Sequence, residues 1–354
     1  MLYHLSRIIV PPDSIESATH MFSRIIQFFF LVSAFSIYIG YYNRLKTRQE
    51  IKEFLVRRFL RIAPLFYVML VIFSIYMNLA RPWVEYSVVQ YLFNITFTYN
   101  LVPEFHYGII HDTWFIGVIM IFYLFIPLLV RYVRRLSVSL LAFVVVFFLS
   151  NLFFNVLWSL DLQSSYPFMA PFIYRSIFFQ FPIFMIGIID YFLFRRIMSN
   201  NEFLEKKSTK IIGVGLIIVG LVFYVMTWWP SPLWKLIHEI PFINLEFYIF
   251  GLYLSCILFG ILLVRSRIFI NRVWNFLGAR SYGFYLLHPI LIYLSTPIYD
   301  FIYSLISNIT VAFLISLLYT LLLVNVAAAL SYKFLEKPAF KHGISLFLGK
   351  SETV

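Results

Sequence analysis

Four of the chain's seven histidines stand where an acid–base group could act. His4 closes the first turn of "MLYHLSRIIV". His106 and His111 occur in "EFHYGIIHDTW", residues 104–114, the second of them directly before Asp112. His288 lies in "GARSYGFYLLHPILIY", residues 278–293, several positions inside an apolar run. An imidazole titrates close to neutral pH, and beside a carboxylate it can take a proton from a hydroxyl. The same histidines and Asp112 also suit an ordinary wet loop at a membrane surface. His288 also reads as a packing group, provided it finds a partner. Pro289 frees a backbone carbonyl one turn earlier, and Tyr282 and Tyr285 carry hydroxyls. The spacing of these groups matches no compact metal-ligand motif, so no metal is expected.

A second chemistry belongs to "FLVRRFLRIAPLFY", residues 54–67. Helical spacing of three or four brings Arg57 or Arg58 onto one surface with Arg61. Guanidinium forks fit phosphate oxygens, so these three arginines suit a phosphorylated cofactor. They would also anchor a span and touch anionic lipid. Two carboxylates, Asp190 and Glu246, fall within apolar runs and could border a polar cavity.

Something must hold such groups in place, and the composition says what. Hydrophobic residues make up 62% of the chain and charged ones 12%, with a mean hydropathy of +0.86. That places it among integral membrane proteins. Forty-two Phe and 25 Tyr suit helices with aromatic rims in lipid. One cysteine, Cys256, excludes an internal disulfide. Crossing about 30 Å of hydrocarbon takes roughly 17 to 25 residues. Nine runs of that kind can be drawn: 22–42, 59–79, 113–131, 137–157, 176–194, 211–229, 241–264, 283–303 and 309–330. They are continuously apolar rather than alternating, which argues against a barrel. The expected fold class is all-α, a polytopic integral membrane helical bundle of nine spans.

The charge of +12 would point to nucleic acid in a soluble protein, but here its placement is a topology signal and no nucleic-acid partner is expected. With nine spans, 23 of the 28 Lys and Arg residues fall in the connections on one side. The positive-inside rule makes that side cytoplasmic, with the C-terminus inside and the N-terminus outside. The localisation expected is a cell inner or plasma membrane, with membrane lipids as partners and the longest loop, about 80–112, facing outward.

Several stretches together resemble the membrane-bound acyltransferase 3 family. "FFFLVSAFSIYIGYYNRL" is similar to its second helix, with Ser33 and Ala34 at a Ser-Gly pair. "FLVRRFLRIAPLFY" resembles the arginine-rich start of its third helix. "DTWFIGVIMIFYLFIPLL" carries a Trp-to-FYL-P pattern through Trp114, Phe122, Tyr123 and Pro127. "FLGARSYGFYLLHPILI" resembles its Ser-Tyr and His-Pro signature, and "FLEKPAF" its closing motif through Glu336, Lys337 and Pro338. Two departures stand out. Ile119 occupies a position where many members have a glutamate, and "MLYHL" coincides with only the last turn of a family helix that ends in a histidine.

The resemblance implies a ten-span architecture lacking most of its first helix. It divides the chain into a short outward segment with a remnant of that helix at 1–21, a transmembrane acyltransferase domain at 22–332 and a cytoplasmic tail at 333–354. It also implies an O-acyltransferase that moves an acetyl group from acetyl-CoA, a co-substrate, to a hydroxyl of an extracytoplasmic cell-envelope glycan or glycolipid. On this reading His4 is the base, with Asp112 and His288 as further catalytic candidates, and Arg57, Arg58 and Arg61 meet the CoA phosphates. Two other readings compete with it: a multi-span transporter, and a truncated paralogue that folds but transfers nothing.

Overall fold

The computed structural model describes residues 1–9, 11, 19, 25–110, 112–226 and 245–349. The segment 1–21 and His111 therefore fall partly or wholly outside the described residues, as does the side chain of Glu246. Every regular element among the described residues is helical.

The chain opens with a short helix, α1 (Leu2–Ser6), and continues through α2 (Ile26–Tyr41) and the long α3 (Arg48–Ala80). Thr47 starts α3 with a reciprocal cap: its hydroxyl accepts from the Glu50 backbone N–H, and the Glu50 carboxylate accepts from the Thr47 N–H. The Lys46 N–H also donates to the Glu50 carboxylate, at 2.8 Å. A connecting region with α4 (Val88–Ile95) and two 3-10 turns leads to α5 (Trp114–Tyr132). Then come α6 (Leu136–Ser159), the short α7 (Met169–Arg175), α8 (Ile177–Met198), α9 (Lys207–Met226) and α10 (Leu245–Val264). The last part comprises α11 (Arg272–Leu294), α12 (Thr296–Leu305), α13 (Ile309–Ser331), a π turn at Tyr332–Glu336, and α14 (Lys337–Leu348).

Among the described residues, six helical segments are long and apolar enough to cross a membrane: Arg48–Ala80, Trp114–Tyr132, Leu136–Ser159, Met169–Met198, Lys207–Met226 and Ile309–Leu348. Ile26–Tyr41 and Tyr248–Val264 are shorter apolar helices. The protein is thus an all-α polytopic membrane bundle. The run expected at 283–303 takes a different form. Its helix, α11, starts at Arg272 because the Asn271 side chain caps the N–H groups of Val273 and Trp274, at 2.9 and 3.0 Å. It ends at Ser295, after which Pro297 opens α12.

The interior is built from aromatic side chains. Phe30, Phe66, Phe122 and Phe184 are fully buried in one continuous core around α2, α3, α5 and α8. Water offers no driving force between helices in lipid, so small residues must let backbones approach. Gly187 of α8 does this against α2: an added Cβ would lie 2.2 Å from the Leu31 carbonyl oxygen. Gly213 of α9 and Gly260 of α10 do so reciprocally, each with its imagined Cβ against the other's carbonyl oxygen. The C-terminal α14 docks on α3, where Gly343 sits against the Leu60 side chain.

Candidate active site

His4 lies in the last turn of α1, against α11. Its Nδ1 is 3.1 Å from Asp112 Oδ2, and both side chains are about one third exposed or less, at 27% and 32%. With the Nδ1 proton directed at the carboxylate, the ring keeps its basic lone pair on Nε2.

Asp112 is held by an unusual turn. Its φ is 62°, a left-handed conformation that a non-glycine residue adopts only when its surroundings enforce it. Those surroundings are buried polar bonds. Tyr99 donates its hydroxyl to the Thr113 carbonyl at 2.6 Å and accepts from the Gly117 N–H at 3.0 Å. Asn94 Oδ1 accepts from the Ile109 N–H at 3.0 Å. Gly108 has a φ of +74°, and a Cβ there would meet Thr113 Oγ1 at 2.8 Å. The Tyr285 hydroxyl, from α11, donates to the carbonyl of Asp112 itself.

His288 is buried, its ring centroid 5.0 Å from that of His4. Its Nδ1 lies 2.6 Å from the Tyr285 carbonyl oxygen. That carbonyl is the one Pro289 frees by lacking an N–H one turn later. The tyrosine hydroxyls do not serve the ring as the sequence suggested: Tyr282 donates to the Ile62 carbonyl and Tyr285 to Asp112. The Nε2 atom of His288 is buried with no hydrogen-bond partner among the described residues.

Arg57, Arg58 and Arg61 of α3 line a cavity of about 330 Å³ with Tyr41, Tyr332, Glu336, Lys337, Phe340 and Lys341. Five cations therefore face one carboxylate, and Glu336 also accepts from Ser331 Oγ at 3.0 Å. Arg58 is held over the rings of Tyr123, Phe54 and Tyr41 at 5.3, 5.6 and 5.7 Å. Arg58 and Arg61 also line a second cavity of about 330 Å³, whose walls include Ser33, Ser36, Phe115, Ile119, Tyr123, Ser281 and Tyr285. A third cavity, about 210 Å³, is lined by Tyr3, His4, Arg7, Asp112, Arg175, Pro289 and Tyr293 among others. Tyr285 stands between the second and third: it lines one and bonds to Asp112 of the other.

The residues selected from sequence thus form two groups, His4 with Asp112 and His288, and the three arginines, of which Arg58 and Arg61 reach into the second cavity on the near side of Tyr285. Asp190 is absent from the walls of these cavities; it is buried and accepts the Ser255 hydroxyl of α10 at 2.8 Å. No cluster of three or more His, Cys, Asp or Glu that could hold a metal occurs among the described residues.

The family model of the membrane-bound acyltransferase 3 proteins, described as an acyltransferase domain, matches residues 1–329. The chain belongs to this family. A membrane acyltransferase activity follows at the family level, with an acyl-CoA type of donor as the matching co-substrate class. No significant match occurs among curated proteins or solved structures. Within this acyltransferase, Ile119, at the position where many of the resembled members carry a glutamate, gives the second cavity an apolar wall residue.

Arg175, Tyr3 and Tyr293 also line the third cavity, and none of them stands out in the sequence as a site residue. Arg175 carried a signal all the same, as one of few basic residues outside the strongly basic connections.

Proposed function

We propose that the protein is an O-acetyltransferase that takes the acetyl group of acetyl-CoA from the arginine-lined end of the bundle. It delivers that group to a hydroxyl of a cell-envelope glycan or glycolipid at the histidine end. The observation that supports this most is the His4–Asp112 contact of 3.1 Å in the wall of a cavity, with the arginine cavities lying on the far side of Tyr285.

In this reading the CoA phosphates meet Arg57, Arg58 and Arg61, with Lys337 and Lys341 adding positive charge. The thioester arm extends into the second cavity, whose mixed apolar and hydroxyl walls suit a pantetheine chain. His4 removes the proton from the acceptor hydroxyl as its oxygen attacks the thioester carbonyl. The tetrahedral adduct then expels the thiolate, which recovers a proton as CoA thiol. Asp112 orients the ring and stabilises its charged form, and the buried Nε2 of His288 offers a second proton acceptor beside it. The base has the same task whether the acetyl group moves directly or through an ester on the protein. The positive-inside rule, applied to the basic connections, supports an arginine end at the cytoplasm, where acetyl-CoA is made, and a histidine end outside.

The test is to incubate the full chain in lipid nanodiscs with isotopically labelled acetyl-CoA and an envelope glycan extract. Protein-dependent, alkali-labile label on the glycan is expected. Its absence across neutral and acidic acceptor fractions overturns the reading.

A further inference from the structure

Arg175 is the last residue of α7 and projects into the cavity that holds His4 and Asp112. Its two closest partners are uncharged. Its guanidinium NH1 lies 3.4 Å from His106 Nε2, and its Cζ lies 4.2 Å from the centre of the Tyr107 ring. His106 is fully buried, with Nδ1 2.6 Å from the Pro103 carbonyl oxygen. A proton on Nδ1 satisfies that carbonyl and leaves Nε2 as the acceptor that meets Arg175. Burial, with Arg175 adding a smaller push, lowers the His106 pKa to about 4, so the ring is neutral at physiological pH.

The cation is thus aimed without being neutralised. No carboxylate forms an ion pair with Arg175 among the described residues. The one acid among the described residues of the cavity wall, Asp112, is engaged by His4, while Arg7 adds a second positive charge at the exposed rim. A half-buried guanidinium held by a ring face and a lone pair, with donors to spare, suits bidentate binding of an acidic oxygen pair. Tyr3 and Tyr293 provide broad faces on the same wall, Tyr293 itself stacked on Tyr76 with centroids 6.1 Å apart.

We infer that Arg175 makes this cavity selective for acceptors that carry an anion, a phosphate or a carboxylate, close to the hydroxyl that receives the acyl group. The inference rests on the proposed acetyl transfer and names the chemical class of its acceptor. Arg175 is here a specificity-determining residue, and the role sets it apart from an oxyanion donor, which would act on every acceptor alike.

The full chain in nanodiscs would be given labelled acetyl-CoA and envelope glycans separated beforehand by anion exchange. Label is expected on the acidic fractions at tenfold or more the efficiency of the neutral ones. Arg175→Gln should remove that preference by raising the KM of the acidic acceptors more than that of the neutral ones. Arg175→Lys, which keeps the charge but loses the fork, should retain part of it. Phosphatase treatment of the glycans, or chemical reduction of their carboxylates, then shows which anion is read. Equal labelling of neutral and acidic fractions by the wild type overturns the inference, as does a uniform fall in kcat for Arg175→Gln. If no fraction is labelled, acetyl transfer itself fails. Binding of glucose 6-phosphate against glucose, read by thermal shift, then decides the anion site alone: Arg175-dependent, salt-sensitive binding of the phosphate upholds it, and equal or absent binding overturns it.

Discussion

His4 and Asp112 are far apart in the chain, yet their side chains meet at 3.1 Å because a left-handed turn aims the aspartate back at α1. Asp112→Asn keeps the shape and removes the charge, so it should lower kcat at least tenfold by withdrawing support from the imidazolium. The check is a steady-state assay at equal folded protein. Replacing Arg58 with Gln should raise the donor KM more than the acceptor KM, since Arg58 borders both arginine-side cavities. An equal change in both would point to loss of the ring contacts that position it. His106 yields a stability prediction. Its folded pKa, about 4, lies below the ordinary 6.5, so the unfolded chain binds more protons between those values. Stability attributable to it is therefore complete above about pH 6.5 and lost as pH falls toward 4. A His106→Asn variant should show a flatter dependence of Tm on pH over that window, measured in detergent. Chemical type was legible at this scale: histidine, aspartate and arginine stood out in an apolar chain. Arg175 was not, because its meaning depends on His106 and Tyr107 turning it toward a cavity formed by distant residues.

Helix identity followed from the apolar runs, and helix limits followed from capping, which hydropathy does not see. The segment "RVWNFLGARSYG" is too polar to read as a span, yet Asn271 starts α11 there and its last turns carry Tyr285, His288 and Pro289 to the site. The carbonyl freed by Pro289 was legible in advance, being a local consequence of one missing N–H. The tyrosine hydroxyl partners were not, since Ile62 and Asp112 lie on other segments. Close approach of α8 to α2 hangs on Gly187. Gly187→Ala should cost on the order of 1–3 kcal/mol through overpacking against backbone and lower the Tm accordingly. Gly278→Ala, where nothing lies within 4 Å of the added carbon, should be neutral or slightly stabilising in its helix. Thermal unfolding of the two variants side by side would check the contrast.

At the scale of the whole molecule, the bundle separates an end crowded with arginine from an end with histidine and aspartate, and cavities occupy the space between. Membrane class and the asymmetry of charge were legible from composition and loop content. The cavities were not, because they arise where helices fail to fill space together. The account expects the basic end to face the cytoplasm. In a Cys256→Ala background, a membrane-impermeant maleimide applied to intact cells should label Trp83→Cys and leave Glu202→Cys unlabelled; the reverse pattern would invert the topology. The most direct test compares the wild type with His4→Gln in nanodiscs, measuring labelled acetyl transfer from acetyl-CoA to envelope glycan at equal folded protein. Transfer by the wild type is expected, with a fall of about 10²- to 10⁴-fold in the variant, the range a lost general base commands. An unchanged rate in His4→Gln would contradict it.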